Sequence, residues 1–228
     1  MKKNNYKFLE WFTVLFVVML LISNIIAGKI VEIGGLLIPA AVFLFPFTYI
    51  FGDIITEVYG YEADRKRIWM GFFANVLMVV VFMFVIALPF PDFWQNQKAF
   101  ESVLGQVPRV VIASLLSFWV GSFLNSYIMS IMKTAMRKID KKDRYLFVRT
   151  IGSTLVGEGA DTMMFIFLAF FGTMPTNAVF QLMMVQFLFK VGIEIVMTPA
   201  TYFIISLVKR KENTDVVGAD SYNPLKIN

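Results

Sequence analysis

Two carboxylates stand close together in one of the most apolar stretches of the chain. Glu158 and Asp161 lie within the segment 151–171, which has the composition of a membrane-crossing helix. Counting about 1.5 Å per residue from Ile151 places them about 10 and 15 Å along that helix, near the middle of a bilayer. An acid at that depth costs about 2.5–3.5 kcal/mol on insertion scales. We therefore expect a functional role, with a structural role as the less favoured alternative.

A second polar stripe lies on the last apolar segment. Gln186, Lys190 and Glu194 follow one another at intervals of four, so they share one face of a helix. Lys190 and Glu194 can form an ion pair at that spacing, and either of the acids at 158 and 161 is a second potential partner for the lysine. The pair either lines an interior path or only holds helices together, and both interpretations stay open.

A third stripe, on the fourth apolar segment, consists of Ser114, Ser117, Gly121 and Asn125. Serine at such spacing is more typical of helix packing than of a ligand site. Three polar stripes on three consecutive helices nevertheless imply a shared interior lining. The candidate substrate-binding residues are Glu158, Asp161, Lys190, Glu194, Asn125, Phe165, Thr154 and Gln186.

Charged residues also mark the end of the second apolar segment. Asp53 and Glu57 are four residues apart and face the same way, and Arg149 begins the fifth segment at the same side of the membrane. We expect Arg149 to pair with one of these two acids in a structural or gating role. The alternative is that both acids only anchor to Arg65 or Arg67 in the following loop.

The elements that position these residues are predicted from the apolar runs. The chain has 228 residues, of which 58% are hydrophobic and 16% charged, far from the balance of a soluble domain. Six segments reach the length that crosses a bilayer, which predicts an all-α, polytopic membrane protein with six transmembrane helices. They are 9–28, 36–56, 68–88, 110–132, 151–171 and 183–208.

The expected organisation is a single six-helix transmembrane domain over residues 1–211 and a disordered cytoplasmic tail over 212–228. Pro39 and Pro46 interrupt the second helix, which would direct backbone carbonyls toward a cavity. Asp92 and Gln95 have the spacing of a capping box, which predicts a short surface helix. Three helices per half would make two related halves inverted with respect to each other, although no residue-level repeat supports this.

Basic residues set the expected orientation. The formal net charge is +5, but the basic residues lie between the apolar runs, so they indicate topology rather than a nucleic-acid partner. They concentrate at the amino terminus, after the second and fourth helices and in the carboxyl tail, which predicts that both termini are cytoplasmic in a bacterial inner membrane. The first apolar run is too long for a signal peptide and is expected to stay uncleaved.

Cysteine and histidine are both missing from the sequence. This excludes disulfides, thiolate metal sites and imidazole catalysis. We therefore expect a protein that is not an enzyme, with no metal and no cofactor, embedded in lipid and acting on a small molecule. Whether it forms a homo-oligomer stays open.

The motifs resemble those of the queuosine-precursor transporter family, a vitamin-uptake-transporter-like group, from about Trp11 to Arg210. The residues that carry the resemblance are Ser23-Asn24, Phe45-Pro46, Gly52-Asp53, Thr56-Glu57-Val58-Tyr59-Gly60, Asn125, Arg149, Ser153, Gly157-Glu158, Asp161-Thr162, Phe165, Gly172, Lys190, Glu194 and Pro199.

The resemblance implies import of 7-deazaguanine bases, such as 7-cyano-7-deazaguanine or 7-aminomethyl-7-deazaguanine, for tRNA modification. A carboxylate accepts the two neighbouring N–H groups of such a base, Asn or Gln complements its carbonyl, and Phe165 or Tyr49 offers an aromatic face. The main alternative is the membrane-embedded substrate-binding subunit of an ATP-driven vitamin importer. An intramembrane enzyme and a structural membrane protein are less favoured. The preferred base and the coupling ion stay open.

Overall fold

The computed structural model describes residues 6–26, 29–33, 36–105, 108–136, 145–172 and 176–225. The elements in these ranges are, in chain order, α1 (Leu9–Ile26), β1 (Ile30–Ile33), β2 (Leu36–Pro39), a 3-10 helix (Ala40–Phe43), α2 (Phe45–Tyr59), α3 (Tyr61–Ala87), α4 (Gln97–Leu104), α5 (Pro108–Met136), α6 (Leu146–Phe170) and α7 (Thr176–Glu212).

Six stretches within the described residues are long and apolar enough to cross a membrane. They are Leu9–Ile26, Ala40–Tyr59, Tyr61–Ala87, Ile112–Met136, Leu146–Ala169 and Val179–Glu212. This confirms the predicted all-α, multi-pass membrane architecture with six spans. The arrangement of the halves as an inverted repeat stays a prediction.

The second span is built differently from the continuous helix predicted over 36–56. Residues Leu36–Pro39 form β2, which pairs antiparallel with β1, and the chain continues through the 3-10 helix before α2 begins at Phe45. Pro46 occupies the first turn of α2, where its missing N–H costs no helical hydrogen bond. The 15 residues of α2 rise only about 22 Å, so the 3-10 helix completes the span.

The third span begins earlier than predicted. Gly60, at φ +86°, reverses the chain directly after α2, and α3 starts at Tyr61 rather than near Ile68. Arg65 and Arg67, expected in a loop, therefore lie in the first turns of α3 and are buried. Arg67 pairs with Asp64 on the same helix, and its guanidinium lies 3.9 Å from the ring centroid of Phe16 on α1. The expected anchoring of Asp53 and Glu57 to these arginines is not seen.

The short helix between α3 and α5 also differs in its start. It begins at Gln97 after Asn96, not at Asp92, and no side chain caps its first turn. The predicted capping box of Asp92 and Gln95 is therefore wrong. Trp94 instead contacts the rings of Phe90 and Phe100, with centroids 6.3 and 5.8 Å away.

Two glycines bring α5 and α6 into backbone contact. A side chain at Gly121 would lie 2.5 Å from Tyr49 Oη and 2.6 Å from Asp161 Cβ, and one at Gly157 would lie 2.6 Å from Asn125 Cβ. Only glycine fits at either position, because the neighbours are backbone atoms or packed side chains. This close approach places Asn125 against Gly157 and Asp161 against Gly121, so polar side chains of both helices face the same interior.

The chain after α7 packs along one end of the bundle. Arg65 donates from Nη1 to the carbonyl oxygens of Ser221 (2.8 Å) and Asn223 (3.1 Å), and Trp69 donates to that of Pro224 (2.8 Å). We call residues 213–225 the tail segment. No sequence pattern marks these carbonyls as partners of α3. The division into a six-helix domain over 1–211 and a disordered tail over 212–228 stays a prediction.

Candidate functional site

A buried ion pair joins α6 to α7. Lys190 Nζ lies 2.6 Å from Asp161 Oδ2 and 4.5 Å from the centroid of the Phe45 ring at the start of α2. Both charged side chains are almost fully buried. Lys190 therefore has Asp161 rather than Glu194 as its described ion-pair partner, and the contact of lysine with an aromatic face brings a third helix to the same place.

Glu158 lies one turn of α6 away from this pair and is fully buried. Neither of its carboxyl oxygens accepts a hydrogen bond within the described part of the chain, and the hydroxyls of Thr154 and Thr162 beside it also have no partner there. A buried polar group without a hydrogen bond costs about 1–3 kcal/mol, and a charged one costs more. Such a cost is typical of a group held ready for a ligand or a proton.

A second pair of acids meets one layer further along the bundle. Asp53 on α2 accepts a hydrogen bond from Asn125 Nδ2 on α5 at 2.7 Å, and the carboxyl of Glu194 on α7 faces that of Asp53 within hydrogen-bonding reach. Asp53 and Glu194 are 0% and 1% exposed. No described donor reaches Asp53 Oδ2, either Glu194 oxygen or Asn125 Oδ1.

The face of α2 connects these two layers. Phe45, Tyr49, Asp53 and Glu57 recur every four residues, so each lies about 6 Å further along the helix than the one before. The hydroxyl of Tyr49 is buried without a described partner. We call Tyr49, Asp53, Asn125, Glu158, Asp161, Lys190 and Glu194 the polar cluster.

Glu57 is the centre of a different group, at the end of α2. Its Oε1 lies 2.9 Å from Arg149 Nη2 on α6, 2.8 Å from Lys209 Nζ on α7 and 3.5 Å from Lys133 Nζ on α5. Lys133 also donates to the Glu57 carbonyl oxygen. Arg149 was expected to pair with Asp53 or Glu57, and its partner in the structure is Glu57. The same acid also contacts the ends of α5 and α7.

The tail segment adds a second acid to the group around Glu57. Asp215 lies 2.6 Å from Lys133 Nζ and 3.1 Å from Lys209 Nζ. Burial alone would raise the pKa of Asp215, but the hydrogen bonds and charges of the two lysines outweigh it and hold the pKa below its usual range. We call Glu57, Lys133, Arg149, Lys209 and Asp215 the Glu57 network.

The remaining sequence candidates lie at the edges of the polar cluster. Gln186 is buried one turn before Lys190 on α7, and Phe165 is partly buried one turn after Asp161 on α6. The serine stripe of α5 mainly joins helices. Ser114 donates to Asn24 on α1 (3.1 Å), and the neighbouring Ser126, which lies beside the stripe, is 3.0 Å from Thr56 on α2.

Sequence reasoning missed three members of the Glu57 network. Lys133 and Lys209 were interpreted only as topology signals, and Asp215 as part of a disordered tail. Lys133 lies eight residues after Asn125, a spacing that returns to the same helix face. That spacing was a signal for an inward-pointing lysine, whereas no local pattern marks Asp215.

Comparison with known proteins finds a matching family model and similar curated proteins. A family model described as "Putative vitamin uptake transporter" matches residues 39–204. A "Probable queuosine precursor transporter" of Bacillus subtilis is 28% identical over 84% of this chain and 82% of its own length. The "Queuosine precursor transporter" of Escherichia coli is 24% identical over 94% of each chain. No solved structure is significantly similar to this chain.

Proposed function

Because the chain belongs to the vitamin uptake transporter family, we propose that it imports queuosine precursors, the 7-deazaguanine bases used in tRNA modification. The names of the relatives from B. subtilis and E. coli support the substrate class. The six candidate spans fit a multi-pass membrane protein that moves a small molecule. In this proposal the membrane is the bacterial inner membrane.

The observation that carries the proposal is Glu158, a fully buried carboxylate without a described hydrogen-bond donor, beside the ion pair of Lys190 and Asp161. A 7-deazaguanine presents two neighbouring N–H groups, and one carboxylate accepts both in bidentate geometry. In this proposal Glu158 accepts hydrogen bonds from these two N–H groups of the base, while Asp161 and Lys190 neutralise each other's charge beside it.

The walls of the proposed site come from four helices. Gln186 and Asn125 each carry an amide that complements the carbonyl of the base. Tyr49 and Phe165 present aromatic rings for its flat face, with Thr154 beside Glu158. Glu194 closes the site toward the Glu57 network. Support for this arrangement is that all these side chains lie on or beside the polar cluster.

The Glu57 network is proposed as the closure at the cytoplasmic end. Basic residues are concentrated at this end of the bundle, including Lys133, Arg149 and Lys209, which is typical of the cytoplasmic side. Glu57 holds the ends of α5, α6 and α7 against α2. Release of a base to the cytoplasm then requires that these cations separate from Glu57.

The alternative function is the substrate-binding subunit of an ATP-driven vitamin importer, which would need an ATPase partner. The test is uptake of a labelled 7-deazaguanine, first by cells that lack their own synthesis and uptake routes, and then by liposomes that contain only the purified protein. The proposal predicts uptake in both. Uptake by cells without any exchange by the liposomes would favour the partner-dependent alternative, and no uptake in either would overturn the function.

A further inference from the structure

We propose that import is coupled to protons, and that the facing carboxyls of Asp53 and Glu194 carry the coupled proton. This inference rests on the transport function proposed above and adds the driving ion to it. The pair is a separate group from Glu158, because it lies between α2 and α7 rather than beside Lys190.

The geometry of the pair requires a proton. Asp53 Oδ1 already accepts a hydrogen bond from Asn125, whereas Asp53 Oδ2 and both oxygens of Glu194 have no donor among the described residues. Two carboxylates that face each other in a water-poor interior cannot both stay ionised. One proton between them turns one carboxylate into a donor and gives an O–H···O hydrogen bond.

No described cation forms an ion pair with either acid. Lys190 pairs with Asp161 instead, and Arg67, whose charge reaches Asp53, pairs with Asp64. The titratable or charged groups around the pair are Tyr49 and Glu57 on α2, Asp64 and Arg67 on α3, Lys133 on α5, Glu158 and Asp161 on α6 and Lys190 on α7. The described part of α1 has only the exposed Glu10. Because acids outnumber cations at the level of the polar cluster, the proton is the charge that restores the balance.

The proton also sets the force between two helices. With a proton, the contact of Asp53 with Glu194 attracts α2 to α7; without it, the two carboxylates repel and favour separation of the helices. If a group binds a proton more tightly in one conformation, binding of the proton shifts the conformational equilibrium toward that conformation. In the proposed cycle, the arrangement in which Glu57 is paired with its three cations is therefore the proton-bound one.

The proposed cycle is balanced in atoms and charge. An O–H bond forms when water on the outer side delivers a proton to the pair, and it breaks when the Glu57 network opens and water on the inner side accepts the proton. Glu57 lies one helical turn beyond Asp53 on the same face of α2, so opening of the network brings water next to the pair.

The test uses purified full-length protein in liposomes with labelled 7-aminomethyl-7-deazaguanine. Two signals are recorded: accumulation of the label under an imposed pH gradient, acidic outside, with the membrane potential clamped, and acidification of the lumen reported by a trapped pH dye. Exchange of label between equal concentrations of base on the two sides measures transport that needs no gradient. We expect the wild type to exchange, to accumulate label only with the pH gradient, and to acidify the lumen when base is added.

Variants locate the proton. Asp53→Asn and Glu194→Gln keep size and hydrogen bonding but cannot release a proton, so the ratio of gradient-driven accumulation to exchange should fall at least tenfold. Glu10→Gln, an exposed glutamate on α1, is the matched control and should keep the wild-type ratio.

Each outcome separates the two proposals. Wild-type protein that exchanges the base but ignores the pH gradient, or follows a sodium gradient instead, overturns the proton coupling and leaves the transport function standing. Absence of any exchange by the wild type, together with no uptake by cells, overturns the transport function itself. If both variants are misfolded, the wild-type dye signal alone decides, and no acidification on adding base counts against the coupling.

Discussion

Arg149 Nη2 lies 2.9 Å from Glu57 Oε1, so a fully buried ion pair joins the start of α6 to the end of α2. Lys133 and Lys209 reach the same carboxylate. One acid therefore faces three cations from three helices, which is an arrangement that holds only while those helix ends stay together. In the proposed transport cycle, these contacts must break and form again.

Replacing Arg149 with alanine should weaken the Glu57 network. We expect Arg149→Ala to lower the free energy of unfolding by about 3 kcal/mol, the lower end for breaking a buried pair, because two lysines still face Glu57. Uptake of the base should fall with it. Thermal unfolding in detergent and uptake at matched protein level measure the two effects. Arg210→Ala, at an exposed position of α7, is the control; equal behaviour of both variants would contradict the role of Arg149.

The contact of α5 with α6 gives a prediction about packing. Gly121→Ala places a methyl group 2.5 Å from Tyr49 Oη and 2.8 Å from the carbonyl oxygen of Gly157. Overpacking of this kind costs about 1–3 kcal/mol and shifts the helices apart, so both thermal stability and uptake should fall. Gly192→Ala on α7 has nothing within 4 Å of the added atom and should behave like wild type. A stable and active Gly121→Ala protein would show that the two helices are not held this closely.

The proposed base-reading role of Glu158 predicts a loss of affinity. Glu158→Gln keeps the size of the side chain but removes one of two acceptors, and loss of a charged hydrogen-bond pair costs about 1.5–3 kcal/mol, roughly ten- to a hundredfold in affinity. Asp161→Asn should cost as much, because Lys190 loses its partner. Binding of labelled 7-deazaguanine to purified protein measures both. The exposed residue Asp92 provides the control, Asp92→Asn, and near-normal affinity in both cluster variants would leave these acids as structural.

The tail segment should respond to the charge of Asp215. Because the lysines lower its pKa in the folded state, the stabilisation it gives is present above the ordinary aspartate pKa of about 3.9 and is lost only as pH falls through the lower folded value. A spin label at Asp220→Cys, in a chain without other cysteines, should therefore stay immobile from neutral pH down to about pH 4 and gain mobility only gradually as the pH falls further toward the lower folded pKa.

Adding Asp215→Asn should free the same label at neutral pH. Asn223→Asp, at an exposed side chain of the tail segment, serves as a control that changes charge without touching the lysines. A label that is equally mobile with and without Asp215 would show that the two lysines do not hold the segment.

The orientation of the chain is open to a direct check. Reporter fusions within 137–144, which follows α5, should report a cytoplasmic position, and fusions within 91–96, which precedes α4, should report an outer one. The physical reason is that lysine and arginine are retained on the cytoplasmic side. An outer position for 137–144 would reverse the proposed sidedness and turn the Glu57 network into an outer closure.

The sequence predicts the spans well because each requires about 20 apolar residues, a signal contained in one segment. It also places Glu158 and Asp161 on one face, because helical spacing is local. The choice of Asp161 as partner of Lys190 is not local, since the two residues lie on different helices. The role of Lys133 could not be predicted from the sequence. A basic residue at the cytoplasmic end of a helix satisfies the positive-inside rule whether its side chain points to water or to Glu57. The hairpin of β1 and β2 was not predicted, because the apolar residues of β2 were interpreted as the beginning of the second transmembrane helix.

The seating of Asp215 between Lys133 and Lys209 has a consequence for biosynthesis. These lysines lie on helices made earlier, while their second acid lies in the tail segment, which is made after α7. Before Asp215 is made, Glu57 is the described acid that faces all three cations. Assembly of this end of the bundle is therefore completed only after the tail segment has been made, so a chain cut short before Asp215 carries all six candidate spans but lacks the second acid.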